Sequence, residues 1–262
     1  MRRVVLEGDL AGKHRYTFDK DSSRHLAKVL RLGVGESFAA IDGAGNVFDC
    51  VILDASPKAL VAALSPATPD PAPVLAPQIP RIALVQALPK GQKFEIILRQ
   101  AVEIGVSDVF PLQTRNCVAR EKDDSEKKSK LDRRRKIVKE ALQQSGSGTQ
   151  TKIHPSADIE CLQKLLKDEG YGPEEALYLL FHELPLAQAG LHEYCAQASG
   201  SVVVLIGPEG GFDPRETETL MALGFKPVHI HGTILRTETA AIFALAAVKT
   251  LLLERKTWSL SN

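Results

Sequence analysis

Two short segments hold most of the chemistry that this 262-residue sequence can offer. The first, Leu205-Ile-Gly-Pro-Glu-Gly-Gly-Phe-Asp-Pro-Arg-Glu216, ends an apolar run in a glycine-rich turn and then opens a helix. Asp213 is its N-cap, Pro214 its first residue, and Glu216 falls three after the cap. A turn of this kind at the carboxyl end of a parallel strand is where α/β sheets hold ligands. It follows neither of the common glycine patterns that cradle phosphate. Glu209 at its centre would repel a polyphosphate and suits hydroxyls, an amine or a positive centre better. The competing account is a tight turn whose glycines serve backbone geometry alone. The second segment, Gly232-Thr-Ile-Leu-Arg-Thr-Glu-Thr-Ala-Ala241, leads straight into a helix that is apolar almost all round. Capping accounts for Thr237 and for an acidic Glu238 in the first turn. It does not account for Arg236, which lies on the unfavourable side of the helix dipole and so calls for an anionic or carbonyl partner.

A third segment, Leu88 to Gly105, is a basic turn followed by an amphipathic helix with Gly105 as its stop; Lys90 and Lys93 could touch phosphate or simply be solvated. The run Lys127 to Lys139 is open to the same two readings, a solvated helix or an RNA-facing surface. The histidines show no metal-ligand spacing, and no metal is expected; no nucleophile elbow or Cys/His pattern occurs.

These segments need a framework to position them. Six of the fifteen prolines fall between Pro66 and Pro80, which marks a semi-rigid spacer over 71–80 and divides the chain into domains 1–70 and 81–262. Before it, Ser37–Asp42 and Asn46–Leu53 flank a glycine turn, a hairpin signal in a small β-rich domain. One helix is expected there, Ser22 to Leu30, capped by Asp21 or Ser22, with Leu26, Val29 and Leu30 inward and Arg24, His25, Lys28 and Arg31 toward solvent. After the spacer, apolar runs at Arg81–Ala87, Asp108–Leu112, Ala176–Phe181, Ser201–Ile206 and Pro227–Ile230 alternate with helical stretches at Gln92–Ile104, Ser125–Gln144, Leu186–Ala198, Pro214–Leu223 and from Thr237. That alternation predicts an α/β fold, a mainly parallel sheet with helices on both faces.

The net charge of +1 argues at first against nucleic acid, but the charge lies in blocks: +4 over residues 1–35, −4 over 36–80, +6 over 81–140 and −5 over 141–262. The longest apolar run, Ala240 to Leu253, is 14 residues with Lys249 inside it, too short to span a bilayer. Four scattered cysteines without a C-x-x-C pair, and no signal peptide, lead us to expect free thiols and a cytoplasmic protein.

Taken together, the motifs resemble the RsmE family of 16S ribosomal RNA uracil N3 methyltransferases. The likeness runs through Met1-Arg-Arg3, His25 to Glu36, Lys90-Gly91 through Glu103-Ile-Gly105, Gln143-Gln-Ser-Gly146, Ile206 to Gly211 and Ile234 to Ala240. It implies a SPOUT-type (trefoil-knotted) domain behind a PUA-like β-barrel, S-adenosyl-L-methionine as cofactor, and methylation of N3 of a specific uridine in 16S rRNA or the small ribosomal subunit. It also implies a homodimer joined through the last helix, with Ile242, Leu245 and Leu252 as candidates. Matched onto this chain, the cofactor loops are Leu180, Phe181, His182 and Glu183; Ile206, Gly207, Pro208, Glu209, Gly210 and Gly211; and Ile230, Ile234, Leu235, Arg236, Thr239 and Ala240. Arg236 and Glu238 are the expected catalytic pair, and Arg2, Arg3, Arg24, His25, Lys28, Arg31, Lys90 and Lys93 the expected RNA contacts. The chain departs from the family pattern at Arg115-Asn116-Cys117, at Ser147 and at His231-Gly232-Thr233, changes expected to bear on RNA more than on the cofactor loops. Two rivals stand beside this reading: a non-catalytic RNA-binding or ribosome-assembly protein on the same fold, and an ordinary α/β enzyme of small molecules.

Overall fold

The computed structural model describes residues 4–43, 46–67, 79–121, 123–145, 147, 149–198, 200–230 and 232–255. Arg2, Arg3, His231 and most of the expected 71–80 spacer lie outside the described residues. The rest divides into two compact units, one within Met1–Ala76 and Leu142–Gln150, the other within Pro77–Ala141 and Thr151–Asn262.

In the first unit, strands β1 (Val4–Val5), β2 (Arg15–Thr17), β3 (Ser37–Ile41), β4 (Val47–Asp54) and β5 (Val61–Pro66) form one sheet in the order β1-β3-β4-β5-β2. Alternation sets the faces: Phe48, Cys50 and Ile52 of β4 turn inward while Asp49, Val51 and Leu53 turn outward. The inward set packs with Leu6, Leu10, Phe18, Phe38, Leu60 and Leu64 in a core of its own. The expected helix takes a different form. Helix α1 (Lys20–Arg24) starts two residues earlier, on Asp19, whose Oδ1 accepts from Ser22 N at 2.8 Å. It then widens into a π-helical turn, His25–Val29, closed by Leu30 N donating to His25 O at 3.0 Å. Leu26 is buried as expected, but Val29 and Leu30 face solvent, because an i→i+5 turn carries its later residues off the helix's buried stripe.

The second unit runs β6 (Ile82–Ala87), α2 (Lys93–Ile104), β7 (Asp108–Gln113), α3 (Asp124–Ser145), β8 (Lys152–Ile153), β9 (Ala157–Asp158), α4 (Ile159–Asp168), β10 (Ala176–His182), α5 (Leu191–Ala196), β11 (Ser201–Ile206), α6 (Pro214–Ala222), β12 (Lys226–His229) and α7 (Thr237–Glu254). Its strands lie in the order β12-β10-β11-β6-β7-β8, with β9 also beside β7, and every pairing is parallel. The central strands are mostly apolar and buried almost along their whole length because both faces are covered. On one face Ala83, Val85, Leu180, Val203 and Leu205 pack with Ile159, Leu162 and Leu166 of α4 and Leu220 of α6. On the other, α7 lies against β6 and β11 and takes α2 along its side. Two details differ from expectation: the helix sought over Leu186–Ala198 is only α5, and α4 had not been expected. No helix of the described residues is long and apolar enough to cross a membrane.

Candidate active site

Parallel register brings the carboxyl ends of β12, β10, β11 and β6 level: His229 pairs with His182, and Ile206 with both Phe181 and Gln86. Beyond these ends opens a cavity of about 490 Å³. It is lined by Phe181, His182 and Glu183 at the end of β10, by Ile206 through Phe212 at the end of β11 and beyond it, and by His229, Ile230, Gly232 through Thr237 and Ala240 from the end of β12 to the first turn of α7. Fourteen of the sixteen residues expected to hold a cofactor therefore converge on one space. Leu180 instead sits inside the sheet and Thr239 faces outward; neither lines the cavity. Gly232, Thr233 and Thr237, within the matched loop Ile230 to Ala240, line it too, and Phe212 and His229 join from just outside the matched loops.

The glycine turn is shaped from several sides. Gly211 has φ +65, which strains any other residue, and a Cβ there would come within 2.7 Å of Glu183 Oε1, so the end of the Glu183 side chain would have to shift. A Cβ on Gly210 would press on Asn116 at 3.2 Å. The Asn116 amide donates to the carbonyls of Gly210 (3.2 Å) and Gly211 (3.1 Å). Its neighbour Arg115 pairs with Asp213 at 2.9 Å and donates its backbone N–H to Glu216 at 2.7 Å. Asp213 and Glu216 form the expected capping box of α6. The departures at 115 and 116 thus touch the glycine turn and the α6 cap directly. From beneath, Thr237 Oγ1 donates to Gly207 O at 2.7 Å and accepts from Gln86 Nε2 at 3.1 Å. The Nε2 group also donates to Ala87 O, which fixes the amide's orientation and leaves the buried Gln86 Oε1 without a partner among the described residues.

Glu209 is not an isolated carboxylate. It accepts from the Lys90 N–H at 3.2 Å, just ahead of α2, and meets Lys93 Nζ at 3.0 Å. Burial pushes its pKa up, but hydrogen bonds from its own backbone N–H, from Lys93 and from the Lys90 N–H, with the Lys93 charge, outweigh that and hold it below the ordinary value. Lys93 reaches Glu238 as well, at 3.2 Å, and is raised by hydrogen bonds to both carboxylates. Glu238 is directed at Lys93 and lies outside the cavity lining. Arg236 is different. It occupies the N-cap position of α7 with extended backbone (φ −64, ψ 150), its side chain is exposed, and no hydrogen bond or ion pair engages it among the described residues. His182 Nδ1 accepts from Leu184 N at 3.0 Å, which places the proton of the neutral ring on Nε2 at the cavity wall.

Of the expected RNA contacts, Arg24, His25, Lys28 and Arg31 are exposed on the first unit and Lys90 on the second, whereas Lys93 is taken up by its two carboxylates.

Comparison with known proteins agrees with this geometry. Residues 77–249 match the RNA methyltransferase domain family, and residues 18–65 the RNA methyltransferase PUA domain. The chain is 31% identical over 233 residues to Ribosomal RNA small subunit methyltransferase E of Mycobacterium tuberculosis, covering 89% of this chain and 85% of the relative. It is 25% identical to the protein of that name from Bacillus subtilis, covering 89% of each. Among solved structures, Ribosomal RNA small subunit methyltransferase E from Neisseria gonorrhoeae, bound to S-adenosyl methionine, superposes with a TM-score of 0.79 at 26% identity, covering 96% of this chain and 98% of that one. A Legionella pneumophila methyltransferase in complex with the same cofactor also gives 0.79, at 25% identity over 95% of this chain and 97% of that one.

Proposed function

The chain belongs to the RNA methyltransferase family, and from that premise we propose that it methylates N3 of a uridine in the RNA of the small ribosomal subunit, using S-adenosyl-L-methionine. The observation that carries the site assignment is the meeting, in one cavity, of a glycine turn stripped of Cβ atoms and an unpaired arginine. The residues present fit the cofactor: the cavity's volume is of the size that small-molecule sites need, and Gly210 and Gly211 let backbone approach a ligand closely. S-adenosylmethionine, when bound, supplies an electrophilic methyl group. The chain's own task is then alignment and charge stabilisation. Arg236 holds a uracil carbonyl and takes up the negative charge that spreads onto it as N3 gives up its proton to solvent water. Glu238, tied to Lys93, steadies Glu209 through that lysine and does not face the base. The three loops around the cavity are those that the trefoil crossing implied by the resemblance would bring together. The target base must leave its stack, since N3 lies on the pairing edge.

We also propose a cytoplasmic homodimer. Leu245 and Leu252, expected at its interface, are instead buried within the chain, so the outward face of α7 that a partner meets is that of Phe243 and Leu253. Light scattering at micromolar concentration checks it, and a monomer there would remove it. The test of the activity is incubation with labelled S-adenosylmethionine and small subunits from cells lacking the protein, followed by mapping of the modified nucleoside. Label at N3 of one uridine is the expected result; binding of RNA with no cofactor uptake would favour an assembly protein.

A further inference from the structure

Strand β6 is buried from end to end, and Gln86 is the one polar residue in it. Ala83 and Val85 pack with α4 and α6, so alternation turns Gln86 to the opposite face of the sheet, where α7 lies. A leucine would fill that place and leave no polar atom behind. The amide instead leaves Oε1 buried with no partner among the described residues, which lowers stability. A buried polar group that packing does not call for points to a site that needs it.

Gln86 sets the direction of one proton. Its Nε2 donates to Ala87 O at 2.9 Å and to Thr237 Oγ1 at 3.1 Å. With Oγ1 accepting there, the hydroxyl is turned to donate to Gly207 O, at 2.7 Å. Three elements are thereby joined at one point: β6, the first turn of α7 and the residue after β11. Thr237 and Gly207 line the cavity, and Gln86 stands one layer behind them. Arg236 is the N-cap next to Thr237. Its carbonyl accepts from Ala240 N at 2.8 Å, while its side chain is exposed and engaged by nothing among the described residues. The place of the guanidinium therefore depends on how firmly this stretch of backbone is held.

We propose that Gln86 is a positioning residue for Arg236: its amide orients the Thr237 hydroxyl onto Gly207 O and so clamps the start of α7 to the glycine turn, with Arg236 aimed into the cavity. The proposal rests on the reading of Arg236 as the group that meets the base. The orphan Oε1 is kept for what the other end of the same amide does toward the ligand.

Gln86→Leu removes the donor and the orphan acceptor together. Its thermal midpoint should be no lower than that of wild type, while kcat on small subunits should fall about tenfold, the scale of one lost hydrogen bond. Cofactor affinity by calorimetry should change less than about twofold, because the effect falls on the reacting groups. Thr237→Val breaks the same chain of bonds from the other side and should slow turnover similarly, and the double variant should be no slower than the slower single one. Thr237→Ser keeps the hydroxyl and should keep wild-type turnover. A readout free of methyl transfer is trypsin cleavage after Arg236, mapped by mass spectrometry. It should be several-fold faster in Gln86→Leu, since cleavage follows opening of the segment. Turnover or cleavage of Gln86→Leu at the wild-type rate would overturn the proposal, as would additive losses in the double variant. A midpoint several degrees lower would make Gln86 a residue of the core, and a loss of cofactor affinity larger than the loss of kcat would place its effect on the glycine turn; either sinks the assignment. A wild-type protein that transfers no methyl group to small subunits would end the enzymatic reading, and the cleavage rates would still decide whether Gln86 holds Arg236 in place.

Discussion

The two ends of the seven-stranded parallel sheet treat charge in opposite ways. At the amino end, Asp108 opens β7 fully buried and fully occupied. It meets Arg81 at 2.7 Å, His154 Nε2 at 2.8 Å and the Tyr171 hydroxyl at 2.5 Å, while Lys152 holds Glu169 at 2.6 Å close by. Asp108, His154 and Glu169 bring ligand-type atoms within 4.8 Å of one another, but Arg81 and Lys152 already supply the positive charge there. At the carboxyl end, among the described residues, the Arg236 side chain has no partner, Gln86 Oε1 is buried without one beneath Thr237, and the nearby turn is rich in glycine. A satisfied cluster contributes stability; polar groups left unsatisfied at a cavity wait for a ligand. Evolution has one scaffold here and two uses for polar side chains, separated by the length of a strand.

The contrast is broken most readily at Arg236. Arg236→Ala should lower kcat about a hundredfold to a thousandfold, the effect of removing one donor aimed at developing negative charge. Cofactor affinity by calorimetry and the thermal midpoint should stay at wild-type values, because the side chain supports no other group. Near-normal turnover would end the role assigned to it.

Asp108→Asn probes the other end and should reverse that profile. Removing the charge leaves Arg81 and its neighbours without their anion, and unfolding free energy should fall by about 3 kcal/mol, with cofactor affinity and turnover retained below the melting range. Acid sharpens the result. Burial raises the Asp108 pKa, but hydrogen bonds from His154, Tyr171 and Arg81, with the Arg81 charge, outweigh it and hold the carboxyl below its ordinary value. The stability it contributes is therefore present above the unfolded pKa of roughly 3.9 and is lost as pH falls through the folded value. Denaturation measured from neutral to acid pH should show the gap between wild type and variant closing toward the acid end. A gap independent of pH would mean that shape, and not charge, is what the cluster supplies.

How far each end was legible in the sequence follows from the range of the interactions. Apolar runs bounded by polar residues announced β6, β7, β10 and β11; Gly105 announced the end of α2, which it terminates at φ 88. Asp213, Pro214 and Glu216 announced the start of α6, since a capping box is a local device. Periodicity failed at Val29 and Leu30, because a π-turn shifts the stripe by one residue and no composition rule signals it. The cavity lining came from resemblance more than from physics, and its additional members, Phe212 and His229, had been read as loop and strand end. The props of the site were beyond reach: Gln86 and Thr237 are 151 residues apart, and Asn116 and Gly210 94 apart.

Those long-range props supply the smallest and most discriminating test. Asn116, in the loop after β7, touches the glycine turn by two hydrogen bonds from one amide and by close packing on Gly210. Each such bond is worth about 1 kcal/mol net, so Asn116→Ala should weaken cofactor binding roughly tenfold. Turnover at saturating cofactor should stay within about twofold, because once the ligand has paid for ordering the turn, the reacting groups stand where they did. Asn116→Asp should cost more than Ala, since a carboxylate would then face two carbonyl oxygens. Glutamine, with the same amide one methylene further out, should recover part of the affinity. Equal binding in all three variants would show that the turn stands on its glycines and the α6 cap alone. A loss of thermal stability comparable to that of Asp108→Asn would show that the carboxyl end is as much a structural clamp as the amino end, and the division between them would have to be given up.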